Sequence, residues 1–367
     1  KSVCTCILVI QQIAHPLQRF PMSQTKLGTH NGVFHCDEVL ALAMLRQLPE
    51  YRNAVLVRSR NPARLQDCDV VFDVGGEFDP DRHRYDHHQT SFSKTIQDFH
   101  PTLKPAVKLS SAGLIYAHFG KRVIASVLGE ESSDSNVVKA VFPFLYAIFI
   151  SEIDGIDNGV PTAPVPLTYS IHTDLSSRVD RLNPSWNKSD EDETECFNRA
   201  YMLVESELLS AVRDLAETWY PARSIVEAAL LSRHSIHSSG AILHLALACP
   251  WKSHIFELEK EILGITDADN DENTDFKGRP VFVIVERKGN CETQFTLISI
   301  PCKPNLPFSN RVPLVAAWGG KRDEELSGLV GLPGCVFVHS NLFLGIHRTF
   351  DGALQMGIMS LKAANYL

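Results

Sequence analysis

Apolar residues recur along this chain at two spacings, and the alternation between them sets the expected architecture. Leu40, Met44, Leu45 and Leu48 lie on one face of a helix predicted over residues 37–48, which Pro49 ends. Residues 54–58 and 69–74 are short β-rich runs, the second halted by Gly75-Gly76, and each predicts a strand. Residues 111–119 predict a helix, and 136–153 are so uniformly apolar that they predict a helix buried in a layered core. This order implies an α/β fold: a mostly parallel sheet with helices on both faces.

Residues 161–186 are rich in Pro, Ser, Thr and Asn and read as irregular surface chain. Phe197, Tyr201, Val204, Leu208, Val212, Leu215 and Trp219 then step by three and four, predicting a long amphipathic connector helix. Beyond it, strands are expected at 241–248, 281–286, 294–300 and 335–339, among short helices, as in a smaller mixed α/β domain. The expected division is 1–26 as leader or presequence outside the fold, 27–190 as first domain, 191–222 as connector and 223–367 as second domain. The sequence shows no internal repeat and no uninterrupted apolar run of membrane-spanning length.

With 367 residues and 44% hydrophobic content, the chain can bury a sizeable core in two domains. A net charge of −8 excludes a strongly basic DNA-packaging surface. Five acidic residues crowd into 190–195 and five more into 267–275; both runs are expected as solvated loops, and without them the balance is nearly neutral. The second run lacks the Gly and terminal Glu that an EF-hand requires. Nine cysteines without a CxxC pair read as reduced core thiols, Cys36, Cys249 and Cys335 among them, which indicates an intracellular protein. Residues 1–26 contain no acid and carry Lys1, Arg19 and Lys26; they read equally as a mitochondrial presequence or as leader sequence ahead of Met22.

Four clusters of metal-ligand residue types fall in the first half of the chain: His30 to Glu38 before a helix, Asp73 at a strand end, Asp86-His87-His88 in the following loop, and Glu152 to Asn158 at the end of the apolar helix. Singly each has a plain structural role, as a turn cap, a helix end or a surface pair. Together they match a chemistry. Phosphoryl transfer needs charge neutralisation and an activated water, which a pair of divalent ions provides, and such a pair needs several carboxylates with one bridging, plus imidazoles. His30, His35, Asp37, Asp73, His87 and either Asp154 or Asp157 make an adequate set for Mn²⁺ or Mg²⁺, leaving His88 to donate to a phosphate. Open parallel sheets gather such residues at the carboxyl ends of their strands.

Gly28-Thr29-His30-Asn31-Gly32, His35-Cys36-Asp37-Glu38, Phe72 to Pro80 and Arg82 to Gln89 resemble the melanocyte-proliferating-gene family, an outlying branch of the DHH phosphoesterases. Ser110-Ser111-Ala112-Gly113-Leu114, Glu152 to Gly159 and Pro250-Trp251-Lys252-Ser253-His254 extend the likeness to the C-terminus. The resemblance implies a metal-bearing first domain and a smaller substrate-gripping second one. His30 and Asp37 match the superfamily's first motif, His-x-x-x-Asp-x-Asp, with His35 in place of the first Asp and the spacing one residue longer. Asp73 matches the bridging carboxylate, His87 the ligand of the Asp-His-His signature and His88 the substrate-facing residue, so Asp86 and His88 are expected as the catalytic pair. Either Asp154 or Asp157 matches the fourth motif. Leu344 to Ala353 resembles the Gly-Gly-His motif, with Ile346 at the second Gly, and implies that Gly345, His347 and Arg348 hold the substrate phosphate.

The expected function is a phosphodiesterase with two Mn²⁺ or Mg²⁺ ions and an activated water. The family relationship favours 3′-to-5′ exonuclease action on single-stranded RNA, with single-stranded DNA as second substrate, in mitochondrion, nucleus or both. Hydrolysis of a small phosphoanhydride or a dinucleotide is the alternative, and a metal-binding scaffold without turnover the second; no membrane partner is expected, and oligomeric state is open.

Overall fold

The computed structural model describes residues 24–188, 190–266, 274–288, 292–304, 306 and 308–367. The leader reading therefore lies outside the described residues up to position 23, as does the core of the second acidic run, 267–273. The chain forms two compact units.

The first takes in the chain up to Ser126 together with residues 146–208. Its sheet has the order β2-β1-β3-β5-β4, built from β1 (Lys26–Thr29), β2 (Val55–Arg58), β3 (Val70–Phe72), β4 (Phe78–Asp79) and β5 (Arg84–Tyr85). All neighbours are parallel except the edge strand β4. The strand β1 already includes Lys26, the last residue of the expected leader. Because β1, β3 and β5 run the same way, Thr29, Phe72 and Tyr85 end together, and His30, Asp73 and Asp86 are the residues that follow.

Helix α1 (Cys36–Gln47) is buried on every side from Cys36 to Leu45, not on one face as the periodicity suggested. Its Ala and Leu positions are packed all round, and the helix ends at Leu48, extended ahead of Pro49. After the short α2 (Pro62–Gln66), α3 (Ser111–Leu128) runs nine residues past the expected end, with Phe119, Val123 and Ile124 continuing its buried stripe. Residues 136–157 are helical throughout: α4 (Asn136–Leu145), a π segment (Tyr146–Ile150) and α5 (Ser151–Asp157). By length and apolar composition alone this helix is long enough to cross a membrane, although Lys139 and Glu152 interrupt its apolar run. It packs as a core helix all the same: Phe142, Leu145, Tyr146 and Ile150 are buried, and its last two turns carry Glu152, Asp154 and Asp157.

Two stretches expected to be irregular are ordered. Residues 161–186 contain α6 (Leu175–Asp180), whose N-terminus Asp174 caps by accepting from the Ser177 amide at 2.8 Å. The first acidic run is not simply a solvated loop. Asp192 accepts from the Thr194 and Glu195 amides to open α7 (Glu193–Asp214), and Glu193 accepts from Arg58 at 2.6 Å.

The second unit comprises residues 127–145 and 209–367. A π segment (Leu215–Trp219) leads into α8 (Tyr220–Leu231) and the single turn α9 (Arg233–Ile236). The sheet, ordered β6-β7-β8-β10-β9, uses β6 (Ile242–Leu245), β7 (Phe282–Lys288), β8 (Thr293–Ser299), β9 (Cys335–Val338) and β10 (Leu344–His347). Only β6 and β7 are parallel, so the sheet is mixed. Along β7 the side chains alternate. Val283 and Val285 pack with α8 and α10 (Lys252–Leu263), while Phe282 and Ile284 pack with α11 (Asp323–Val330) and α12 (Phe350–Ala363). Trp251 is buried in the first of these clusters, in a structural position. Glu259, fully buried, is held bidentately by Arg311 at 2.5 and 2.7 Å and by Arg279 at 3.1 Å, which compensates its charge inside the core.

Candidate metal centre

The three parallel strand ends and two helices of the first unit deliver the site. The His30 side chain, from the turn after β1, directs Nε2 at Glu38 Oε1 and Asp73 Oδ2, both at 3.1 Å. Asp73, after β3, sits in the left-handed region at φ 59°, where Asp is better tolerated than most residues, and its other oxygen points elsewhere. Asp73 Oδ1 is 3.2 Å from His87 Nε2, which also lies 3.3 Å from Asp157 Oδ2 and 3.8 Å from Asp37 Oδ2. One carboxylate thus spans two ligand groups, His30–His35–Glu38–Asp73 and Asp73–His87–His88, and His87 belongs also to a third, Asp37–His87–Asp157.

The electrostatics favour a cation among these carboxylates. Burial pushes the Asp37 carboxyl well above the usual range, with the charges of Asp73, Asp157 and Glu38 adding to it. Burial likewise raises Glu38 and Asp157. Burial would lower His30, but hydrogen bonds to Asp73 and Glu38 overcome it and raise its pKa to about 10. An imidazole cation is thus the available counter-charge within a crowd of carboxylates. Asp37 Oδ1, Asp73 Oδ1 and both ring nitrogens of His87 are buried without a hydrogen-bond partner. Buried polar atoms left without partners in a cluster of carboxylates and imidazoles fit a divalent ion.

Asp154 and Asp157, one helical turn apart, divide here. Asp157 joins Asp37 and His87, with its side chain 18% exposed. Asp154 is fully buried and turns the other way: its Oδ1 accepts from Ser110 N at 2.9 Å, Ser110 Oγ at 2.7 Å and Gly113 N at 3.1 Å. Gly113 must be glycine for this, since a Cβ would lie 2.4 Å from that carboxylate. The same helix start holds Asp37, whose Oδ2 accepts from Ser111 Oγ at 2.8 Å and Ser111 N at 3.3 Å. First-turn amides of α3 therefore find carboxylate partners and fix the aim of a ligand. Ser111→Ala is expected to weaken Mn²⁺ affinity roughly 10- to 100-fold while the fold persists, read by calorimetric titration; unchanged affinity would remove Ser111 from the support of Asp37.

Within Asp86-His87-His88 the three side chains have separate tasks. Asp86 Oδ2 accepts from the Gly76 amide at 2.5 Å, and Oδ1 accepts from the His88 amide at 3.2 Å and from His88 Nδ1 at 2.7 Å. Gly76, at φ 70°, allows the turn that makes the first of these contacts. A carboxylate only accepts, so His88 carries its proton on Nδ1 and turns Nε2 outward from a side chain that is 60% exposed. The Asp86 hydrogen bond raises the His88 pKa against the effect of burial.

Sequence reasoning missed Glu38, which reads as an ordinary acid at a helix start and does accept from the His35 amide at 2.9 Å. It also missed the clamp that holds the first loop. Arg58 donates to the carbonyls of His30 and Gly32, at 3.2 and 2.8 Å, and to Glu193, which accepts from the Gly32 amide at 2.9 Å. Of the expected phosphate-binding residues in the second unit, Gly345 lies in β10. His347 is buried, with Nδ1 accepting from the Thr349 amide at 3.0 Å and its ring against Gly352, where a Cβ would lie 1.9 Å away. Arg348 is exposed.

A family model described as Uncharacterised protein family (UPF0160), for MYG1 exonucleases, matches residues 26–361. The "MYG1 exonuclease" of Homo sapiens is 44% identical over 348 residues, 94% of this chain and 88% of that protein. The "MYG1 protein" of Dictyostelium discoideum is 39% identical over 345 residues, 93% and 98% of the two chains. A solved structure titled as the pGpG-specific phosphodiesterase PggH from Vibrio cholrae covers 93% of this chain and 98% of its own at 10% identity; its TM-score of 0.24 carries no argument.

Proposed function

This chain belongs to the MYG1 exonuclease family, and from that footing we propose that it is a metal-dependent phosphodiesterase acting as a 3′-to-5′ exonuclease on single-stranded RNA. The observation that carries the hydrolytic reading is Asp73, whose two oxygens serve two ligand groups at once. Exonuclease action rests on the names of the relatives, and RNA preference and polarity on the resemblance of the motifs alone.

Two divalent ions, bound, would neutralise the phosphate and activate water. They would be held by His30, His35, Glu38 and Asp73 on one side and by Asp37, His87 and Asp157 on the other, with Asp73 reaching His87. Asp86 is the positioning residue behind His88, and His88 in its doubly protonated form, which the Asp86 hydrogen bond favours, donates from Nε2 to a non-bridging oxygen of the scissile phosphate. The backbone amides and hydroxyls of Ser110 and Ser111 keep Asp37 and Asp154 in place through turnover. In the second unit, Arg348 is the residue we assign to phosphate contact, with His347 and Gly345 shaping the turn that presents it.

The test is direct. Purified protein is incubated with Mn²⁺ and, separately, with labelled single-stranded RNA, single-stranded DNA and pyrophosphate, with His87→Ala as control. A ladder of shortened RNA that the variant fails to produce supports the proposal. Release from pyrophosphate alone would make the chain a phosphoanhydride hydrolase, and no turnover with any divalent ion would make it a scaffold.

A further inference from the structure

His35 and His88 each stand in the walls of two cavities. On one side is a space of about 670 Å³ that also takes in Asp37, His87 and Asp157, with Lys108 as its cation. On the other, a space of about 230 Å³ runs past His30, Asp73 and Gly76 to Arg60. Arg60, Val74 and Gly75 are shared in turn with a third space, about 260 Å³, whose wall includes Arg82 and Arg84. The metal centre is thus the middle of a trough, not the floor of a pocket.

The charges in that trough are unequal. Arg82 is matched by Glu77 at 2.6 Å and Asp79 at 3.8 Å. Arg84 donates to the carbonyls of Arg82, Cys68, His83 and Asp69, at 2.9, 3.2, 3.3 and 3.5 Å, and pairs with no carboxylate among the described residues. Arg60 is exposed, and its Nη2 lies 3.3 Å from His30 Nδ1; it too has no carboxylate partner among the described residues. A guanidinium recruited to balance the acidic cluster would face a carboxylate, whereas Arg60 faces an imidazole and the open groove. Exposed guanidinium in a narrow groove suits phosphate oxygens, which it can grip bidentately.

Resting on the reading of the site as a polynucleotide hydrolase, we propose that the groove of Arg60 and Arg84 is a track for the backbone phosphates of the uncut strand. The scissile phosphate lies over His35 and His88, and the nucleotide to be released lies on the Lys108 side. A strand lays several phosphates along the track where a dinucleotide offers one, so the track favours a strand over a small phosphoanhydride.

The experiment reads binding, not turnover. A fluorescein-labelled, phosphorothioate-linked uridine hexamer is titrated by anisotropy against the full chain with Mn²⁺, at several salt concentrations, with the uridine dinucleotide as competitor. Arg60→Ala is expected to weaken hexamer binding roughly tenfold, weaken dinucleotide binding less, and reduce the salt dependence by about 0.7 in log–log slope. Arg60→Lys restores the slope, which separates charge from fold. Equal weakening of hexamer and dinucleotide, no effect on either, or no hexamer binding by the wild type would each overturn the track. A strand that binds through Arg60 yet is never cleaved would instead sink the hydrolase reading and leave the track standing.

Discussion

Asp73→Asn will reduce Mn²⁺-supported hydrolysis by roughly a thousandfold or more and will do so without unfolding the chain. The size follows from what is lost. Asp73 is the residue whose two oxygens face His30 and His87, and metal-ion catalysis of phosphoryl transfer supplies several kcal/mol of charge stabilisation, each 1.36 kcal/mol being tenfold in rate. The choice of Asn follows from the backbone. At φ 59° a left-handed residue with a short polar side chain is tolerated, whereas Ala would add a backbone penalty of about 1 kcal/mol or more and confuse fold with chemistry. Burial raises the Asp73 pKa, but the paired His30 and the nearby His87 imidazole overcome this and hold the carboxyl below its ordinary range. Removing that charge leaves His30 with Glu38 as its one remaining carboxylate within ion-pair distance. The measurements are kcat for RNA ladder formation and Mn²⁺ stoichiometry by calorimetry. Asp73→Asn retaining two ions and at least a tenth of wild-type turnover would show that it does not bridge.

Which parts of this were legible in the sequence follows from the range of the forces involved. Local periodicity and turn chemistry located the helix starting near Asp37, the strand before Asp73 and the strands of the mixed sheet to within a few residues. Two-residue strands such as Phe78–Asp79 and Arg84–Tyr85 carry no periodic signal, yet β5 places Asp86, His87 and His88. Three residues make nearly one helical turn, so Asp154 and Asp157 occupy the same side of the helix in any sequence reading; only depth distinguishes them. Glu38 was hidden because an acid three positions into a helix has a sufficient local explanation. Arg58 and Glu193 are 135 residues apart, and no local pattern could pair them. At His347 a Gly-flanked histidine resembled a phosphate grip, while the structure uses it to receive the Thr349 amide beneath Gly352.

The second large effect concerns stability in the absence of metal. Burial overrides three hydrogen bonds at Asp154 and pushes its pKa from 3.8 to about 7. A raised carboxyl pKa means that the folded chain holds a proton which the unfolded chain has released. Stability is therefore fully present below pH 4, falls as pH rises towards 7, and levels off beyond it. The whole interval is worth roughly 4 kcal/mol at 1.36 kcal/mol per pH unit. Asp154→Asn removes the ionisation. The Asn carbonyl still accepts from Ser110 and Gly113, and its amide occupies the place of Asp154 Oδ2, which has no partner. It faces Tyr146, a buried hydroxyl that burial and the Asp154 charge keep from ionising. In EDTA the variant should match the wild type at pH 4.5 and exceed it at pH 8 by several degrees in thermal midpoint, the gap opening across the interval. Parallel midpoint curves would mean that Asp154 is already ionised in the folded chain. Asp157→Ala, at a carboxylate that faces His87, should lose Mn²⁺ affinity instead, so the two aspartates of one helical turn separate by which measurement each one moves.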